Sequence, residues 1–167
     1  MMRDLLSDLP ALSGKGYSGP ELIVDCFAGG GGASTGIYLA LGRHPDIAVN
    51  HDPEALAMHR ANHPETLHVS KNIYKVDPMD LCHNRPVGLL WASPDCKHFS
   101  KAKGARPVKR NVRDLAWTVI VWLRRARPRV VILENVEEFL DYGPLIPAGE
   151  GKYRPCPDRK GETFKLW

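Results

Sequence analysis

The chain has 167 residues, of which 43% are hydrophobic and 25% charged, and a net charge of +4. That length buries most of its apolar surface as one domain, and the composition excludes a disordered or fibrous chain. No apolar run reaches the roughly 18 residues needed to cross a bilayer, and "MMRDLLSDLPALSGKGYSG" carries acids without an apolar signal core, so a cytoplasmic protein is expected.

"ELIVDCF" (21–27) is a short, nearly continuous apolar run that ends in a turn signal, the pattern of a buried parallel strand. "AGGGGASTG" follows, then an apolar helical segment, "IYLALG", ending near Gly42. "DIAVNH" reads as a second strand, and "DPEALAMHRANH" as a helix with Asp52 as N-cap and Pro53 at its first position. "ETLHVSKNI" holds a weaker third strand, "VGLLWAS" a fourth and "RVVILENV" a fifth. Between the last two, Val112, Leu115, Ala116, Val119, Trp122 and Leu123 recur at helical spacing, predicting an amphipathic helix stopped by Pro128. Strands alternating with helices imply a parallel sheet covered on both faces. Residues 1–20 read as an extension and 21–142 as the α/β domain. Residues 143–167 read as a Pro/Gly-rich loop closing on the first turn of an uncompleted helix, "GETFKLW".

The four cysteines, Cys26, Cys82, Cys96 and Cys156, form no C-x-x-C pair, so neither a zinc knuckle nor a redox motif is indicated. His59, His63 and His68 have no carboxylate or cysteine partner at ligand spacing, and no metal site is expected. Lys97, Lys101, Lys103, Arg106, Lys109, Arg110 and Arg113 fall within 17 positions, compatible with phosphate contact or with a solvated face.

In open α/β sheets a ligand sits beyond the carboxyl ends of the strands, where strand order reverses. Three segments converge on that edge. In "DCFAGGGGAS", glycines follow the first strand and lead into a helix N-terminus. The spacing is not G-x-G-x-x-G, and Asp25 before the glycines disfavours a pyrophosphate, so an amino group or a sulfonium fits better. Cys96 follows the fourth strand, beside Lys97 and His98, where a thiolate could serve as nucleophile. Glu134 and Asn135 end the fifth strand in "LENVEEF". Each segment alone has a plain structural reading: a packing turn, a loop thiol, a helix cap.

"DxFAGxGG", the cysteine of "PDCKHFS" and "ENV", in that order, resemble the C5-cytosine DNA methyltransferase family over roughly residues 22–142. The resemblance implies a Rossmann-like S-adenosylmethionine-dependent methyltransferase fold whose C-terminal strands are missing. It implies S-adenosylmethionine over the glycine turn, with Phe27, Ala28, Gly29 and Gly31 along the cofactor and Asp25 near its amino acid end. A cytosine flipped out of double-stranded DNA would meet Cys96 at C6 and Glu134 at its N3 edge, with Asn135 bracing the cysteine loop. Lys97, Ser100, Lys101 and Lys103 become candidate DNA contacts.

The sequence departs from the family pattern in several places. Asp95 stands where a proline usually precedes the nucleophile, with Pro94 one earlier, and a neighbouring carboxylate raises a thiol's pKa. The acids that commonly hold the ribose hydroxyls and the adenine amino group are Asn50 and Asn72 here; with His51 and Pro94 they complete the expected cofactor set. The family's arginine motif and target-recognition region are absent, so a fragment, or a second chain completing the fold, is expected. A prokaryotic or phage origin and a restriction–modification setting follow from the same resemblance. Three other readings stay open: a tRNA cytosine-5 methyltransferase, a non-catalytic relative that binds S-adenosylmethionine or nucleic acid, and, more distantly, a nucleotide-dependent oxidoreductase.

Overall fold

The computed structural model describes residues 19–95, 115–149 and 152–167. Five strands form one parallel sheet in the order β3-β2-β1-β4-β5: β1 (Leu22–Cys26), β2 (Ile47–Asn50), β3 (Leu67–Ser70), β4 (Val87–Ala92) and β5 (Val130–Leu133). All five residues of β1 are buried, as expected of a central strand in a covered parallel sheet. β3 is half exposed, which is why its apolar signal is the weakest.

Successive β1 side chains point to opposite faces of the sheet. Leu22, Val24 and Cys26 enter the main core with Val119 and Trp122 of α4 (Leu115–Ala126). That helix buries Ala116, Val119, Trp122 and Ala126 along one stripe, as the sequence spacing predicts. Asp25 looks to the other face, where α1 (Gly32–Leu41) contributes Ser34 and α2 (Pro53–Asn62) contributes His59. Helices thus cover both faces.

The helix ends follow local chemistry. Asp52 caps α2 by accepting from the backbone N–H groups of Glu54 and Ala55, with Pro53 in the first turn. The same Asp-Pro device starts α3 (Pro78–Leu81), where Asp77 accepts from Met79 and Asp80. Sequence periodicity does not reveal α3, because one turn is too short to show a stripe. Asp77 also pairs with Arg125 at 2.6 Å, joining α3 to α4.

The C-terminal segment corrects the expectation of a loop after residue 142. β6 (Leu145–Pro147) and β7 (Tyr153–Pro155) pair as an antiparallel ribbon, and α5 (Glu162–Leu166) docks on the domain. Phe164 and Trp167 pack against Ala116, Phe139 and Tyr142, and the Trp167 indole N–H donates to the Ala116 carbonyl at 2.9 Å. The prolines that suggest a loop sit at strand ends of a two-stranded ribbon, where a missing N–H costs little. Residues 1–18, most of the expected N-terminal extension, lie outside the described residues.

Candidate functional site

Strand order reverses between β1 and β4, and the three expected segments emerge there side by side. Backbone bonds lace their ends together: Ala28 N–H to the Val49 carbonyl at 3.0 Å, Ser93 N–H to Cys26 at 3.2 Å, and Glu134 N–H to Ala92 at 2.9 Å. The Asn135 side chain donates to the Pro94 carbonyl over a long 3.4 Å and accepts from Val136 N–H, so it ties the β5 end to the loop leading to Cys96. Glu134 is exposed and Pro94 buried. Cys96, Lys97, Ser100, Lys101 and Lys103 lie outside the described residues.

The chain leaves β1 through Phe27, whose φ of 65° lies in the left-handed region that non-glycine residues rarely occupy. Gly31 has φ of 107° and caps α1. A Cβ at Gly31 would meet His63 at 2.8 Å, whereas one at Gly29 would meet nothing within 4 Å, so the outer side of the turn is open.

A cavity of about 430 Å³ lies beyond the strand ends. Phe27, Val49, Ile73 and Leu115 give it an apolar wall; Asn50, His51, Lys71, Asn72, Tyr74, Ser93 and Asp95 give it a polar one. It thus gathers Phe27, Asn50, His51 and Asn72 of the expected cofactor set. Ala28, Gly29, Gly31, Pro94 and Asp25 are not on its wall. Sequence reasoning does not place Lys71, Ile73, Tyr74 or Leu115 at a ligand site; Ile73, an isolated apolar residue after a weak strand, is the one available signal.

Asn50 joins the turn to β2. Its Nδ2 donates to the Ala28 carbonyl at 2.5 Å and its Oδ1 accepts from Asp52 N–H at 3.0 Å. An aspartate could not make the first of these bonds, since a carboxylate only accepts. Asn72 spends an Oδ1 lone pair on Tyr74 N–H at 3.1 Å.

Asp25 is 1% exposed and sits behind the turn. Ser34 donates its hydroxyl to Asp25 Oδ2 at 2.7 Å, and Oδ1 has no hydrogen-bond partner among the described residues. Because Ser34 gives its proton to Asp25, it accepts from His59 Nε2–H at 2.9 Å; in the Nε2–H tautomer, His59 accepts at Nδ1 from His68 Nε2–H, also at 2.9 Å. A second pair lies alongside: His63 Nε2 donates to the Gly31 carbonyl at 3.1 Å, and its Nδ1 meets His44 Nδ1 at 2.9 Å. No group of three metal-ligating side chains with suitable geometry occurs among the described residues.

Burial lowers the pKa of His63 and of His68 below the ordinary 6.5. The unfolded chain therefore binds more protons than the folded one between those lowered values and 6.5, and stability rises with pH across that window. Urea midpoints measured as a function of pH should be level above about 6.5 and fall below it. Midpoints unchanged down to about pH 5 would remove this role for the histidines.

The cysteines among the described residues do not suit a nucleophile. Cys26, Cys82 and Cys156 are buried; burial pushes the Cys26 thiol well up and that of Cys82 to about 11.

Fold and site together define a methyltransferase-type α/β domain. Residues 22–143 match the C-5 cytosine-specific DNA methylase family, and the chain belongs to it. No curated protein matches in sequence. Among solved structures, the chain is similar to a prophage-encoded DNA modification methyltransferase of E. coli, with 24% identity and a TM-score of 0.61 over 72% of this chain and 33% of that one. It is also similar to a Spodoptera frugiperda DNMT2 variant, with 21% identity and a TM-score of 0.56 over 72% and 37%. A third likeness is to the S. pombe Dnmt2 methyltransferase, with 18% identity and a TM-score of 0.57 over 74% and 36%. The chain therefore spans about a third of the length of these structures. No helix among the described residues is long and apolar enough to cross a membrane.

Proposed function

We propose that this chain carries the cofactor-binding and nucleophile-bearing part of a DNA cytosine-5 methyltransferase. The observation that supports it most is the meeting of the glycine turn, the loop leading to Cys96 and the Glu134–Asn135 segment at one switch point, above the 430 Å³ cavity. That cavity fits a nucleoside: apolar walls at Phe27, Val49, Ile73 and Leu115 can sandwich a base, and amides at Asn50 and Asn72 can meet polar edges. The open space over Gly29 admits a chain attached to the sugar. Bound S-adenosylmethionine would supply the methyl group.

The chain's own residues would prepare the base. The Cys96 thiolate adds to C6 of a flipped cytosine, forming a C–S bond and sending the ring electrons toward C5. Glu134 donates a proton at N3, so that charge does not build up on the ring. Once C5 is methylated, a water molecule would take the C5 proton, the C–H electron pair would re-form the C5–C6 double bond as the thiolate leaves C6, and N3 would return its proton to Glu134. Lys97, Ser100, Lys101 and Lys103 would hold phosphates. At the sheet's edge, β5 exposes Val130 and Ile132, and a further segment or second chain would pair there.

The test is a covalent trap. With S-adenosylmethionine present, duplex DNA bearing 5-fluorocytosine should give an adduct of protein and DNA that survives denaturation. Cys96→Ser should give none while still binding S-adenosylmethionine in calorimetry. An adduct with tRNA in place of DNA would move the substrate to RNA, and cofactor binding without any adduct would leave a binding protein.

A further inference from the structure

His63 has no part in the chemistry above, yet its ring bonds directly to the turn at the Gly31 carbonyl, across 3.1 Å. It ends α2, its backbone N–H bonding to the His59 carbonyl at 2.8 Å, and its ring lies under the start of α1. The Gly31 carbonyl accepts twice: from Thr35 N–H at 2.8 Å, the opening bond of α1, and from His63 Nε2 at 3.1 Å. Thr35 Oγ1 lies 3.2 Å from the same nitrogen. Gly31 leaves no room to shift toward His63, since a Cβ there would come within 2.8 Å of the ring.

A carbonyl can only accept, so the proton of neutral His63 is on Nε2 and its Nδ1 is a lone pair. His44 then donates from its own Nδ1 across 2.9 Å. His44 is partly exposed and stacks on Tyr38 with ring centroids 4.2 Å apart, so the pair reaches solvent on that side. His63 itself is 2% exposed.

We propose that His63 is a positioning residue for the glycine turn, and that its bond to His44 makes ligand binding at the turn weaken in acid. The inference rests on the reading of the turn as the cofactor loop. One added proton leaves every bond of the pair intact, because whichever imidazole gains it can donate to the other. A second proton sets two N–H groups against each other across the 2.9 Å link. Positive charge under the turn also opposes a ligand carrying an ammonium or sulfonium group.

The ionisable surroundings act in both directions. His44 is flanked by Arg43, Asp46 and Glu65 in a surface depression. α2 contributes His59, with its ring centroid 4.8 Å from that of His63, and Arg60; β3 contributes His68 and β1 the buried Asp25. α1 adds only the hydroxyls of Ser34, Thr35 and Tyr38. Burial, His59 and His44 resist charging of His63; Asp25 and the Gly31 carbonyl favour it.

The experiment pairs two variants with two readouts. Calorimetry with S-adenosylmethionine should show wild-type affinity falling roughly tenfold from about pH 7 to about pH 5, the worth of one good hydrogen bond. His63→Gln keeps a donor near the Nε2 position without titrating; it should bind within about threefold of wild type at pH 7 and lose the acid fall. His63→Leu should bind weakly at both pH values. In the free protein, the Gly31 amide resonance should move with the His63 ring titration and stop moving in His63→Gln. The same acid fall in His63→Gln, wild-type binding by His63→Leu, or a Gly31 resonance indifferent to pH would each overturn the proposal. Should wild type not bind S-adenosylmethionine at any pH, the cofactor reading fails, and the Gly31 resonance still decides whether His63 positions the turn.

Discussion

Replacing Gly31 by alanine should destabilise the fold by about 2–4 kcal/mol and abolish ligand binding at temperatures where the variant is still folded. Two costs combine. The first is backbone: φ of 107° lies where an L side chain is strained. The second is space, because the new methyl would press on the His63 ring, which is 2% exposed and held by Gly31, Thr35 and His44. The turn must then open or His63 must leave its place, and either change unsettles the start of α1. Gly29→Ala is the control: it meets nothing within 4 Å, so its unfolding free energy should stay within about 0.5 kcal/mol of wild type in urea titration. Equal midpoints for the two variants would mean that the turn is not held from beneath.

The second large effect belongs to Trp122. It is 2% exposed and fills the main core between α4 and the sheet. Trp122→Ala should cost about 3–5 kcal/mol, because the removed indole leaves a cavity that the parallel strands cannot collapse into. Against a total stability on the order of 5–15 kcal/mol, that brings a domain of this kind close to unfolding at room temperature. Chemical denaturation should show a large drop in midpoint with little change in slope. A loss under about 1 kcal/mol would mean that the core repacks freely.

Much of this fold is legible because buried parallel strands read as short apolar runs, as β1, β2 and β4 do, and β5 keeps such a run although it exposes Val130 and Ile132. The Asp-Pro start of α2 and the stripe on α4 are local patterns, and both are found where the sequence puts them from Leu115 onward, Val112 lying outside the described residues. What sequence reasoning misses is set by contacts between distant residues. The ribbon of β6 and β7 is hidden among prolines, and Trp167 reaches back to Ala116 from 51 residues away. In the site, Phe27, Asn50, His51 and Asn72 line the cavity, and Asp25 lies buried behind the turn. The histidines look unrelated in sequence because their partners are 9, 19, 25 and 32 residues away. Asp25 supplies the carboxylate that spacing alone could not bring near them.

The position of β1 in the sheet has a consequence for synthesis. Val24 pairs with Ile47 and Leu22 with Val87, so the central strand of the sheet precedes both of its neighbours in the chain. On a ribosome adding about 5–20 residues per second, β1 meets β2 within seconds but waits several seconds longer for β4. During that interval one whole edge of an apolar strand is unpaired, together with the face that Trp122 will later cover. The nascent chain is therefore most in need of a chaperone between the emergence of β2 and that of α4.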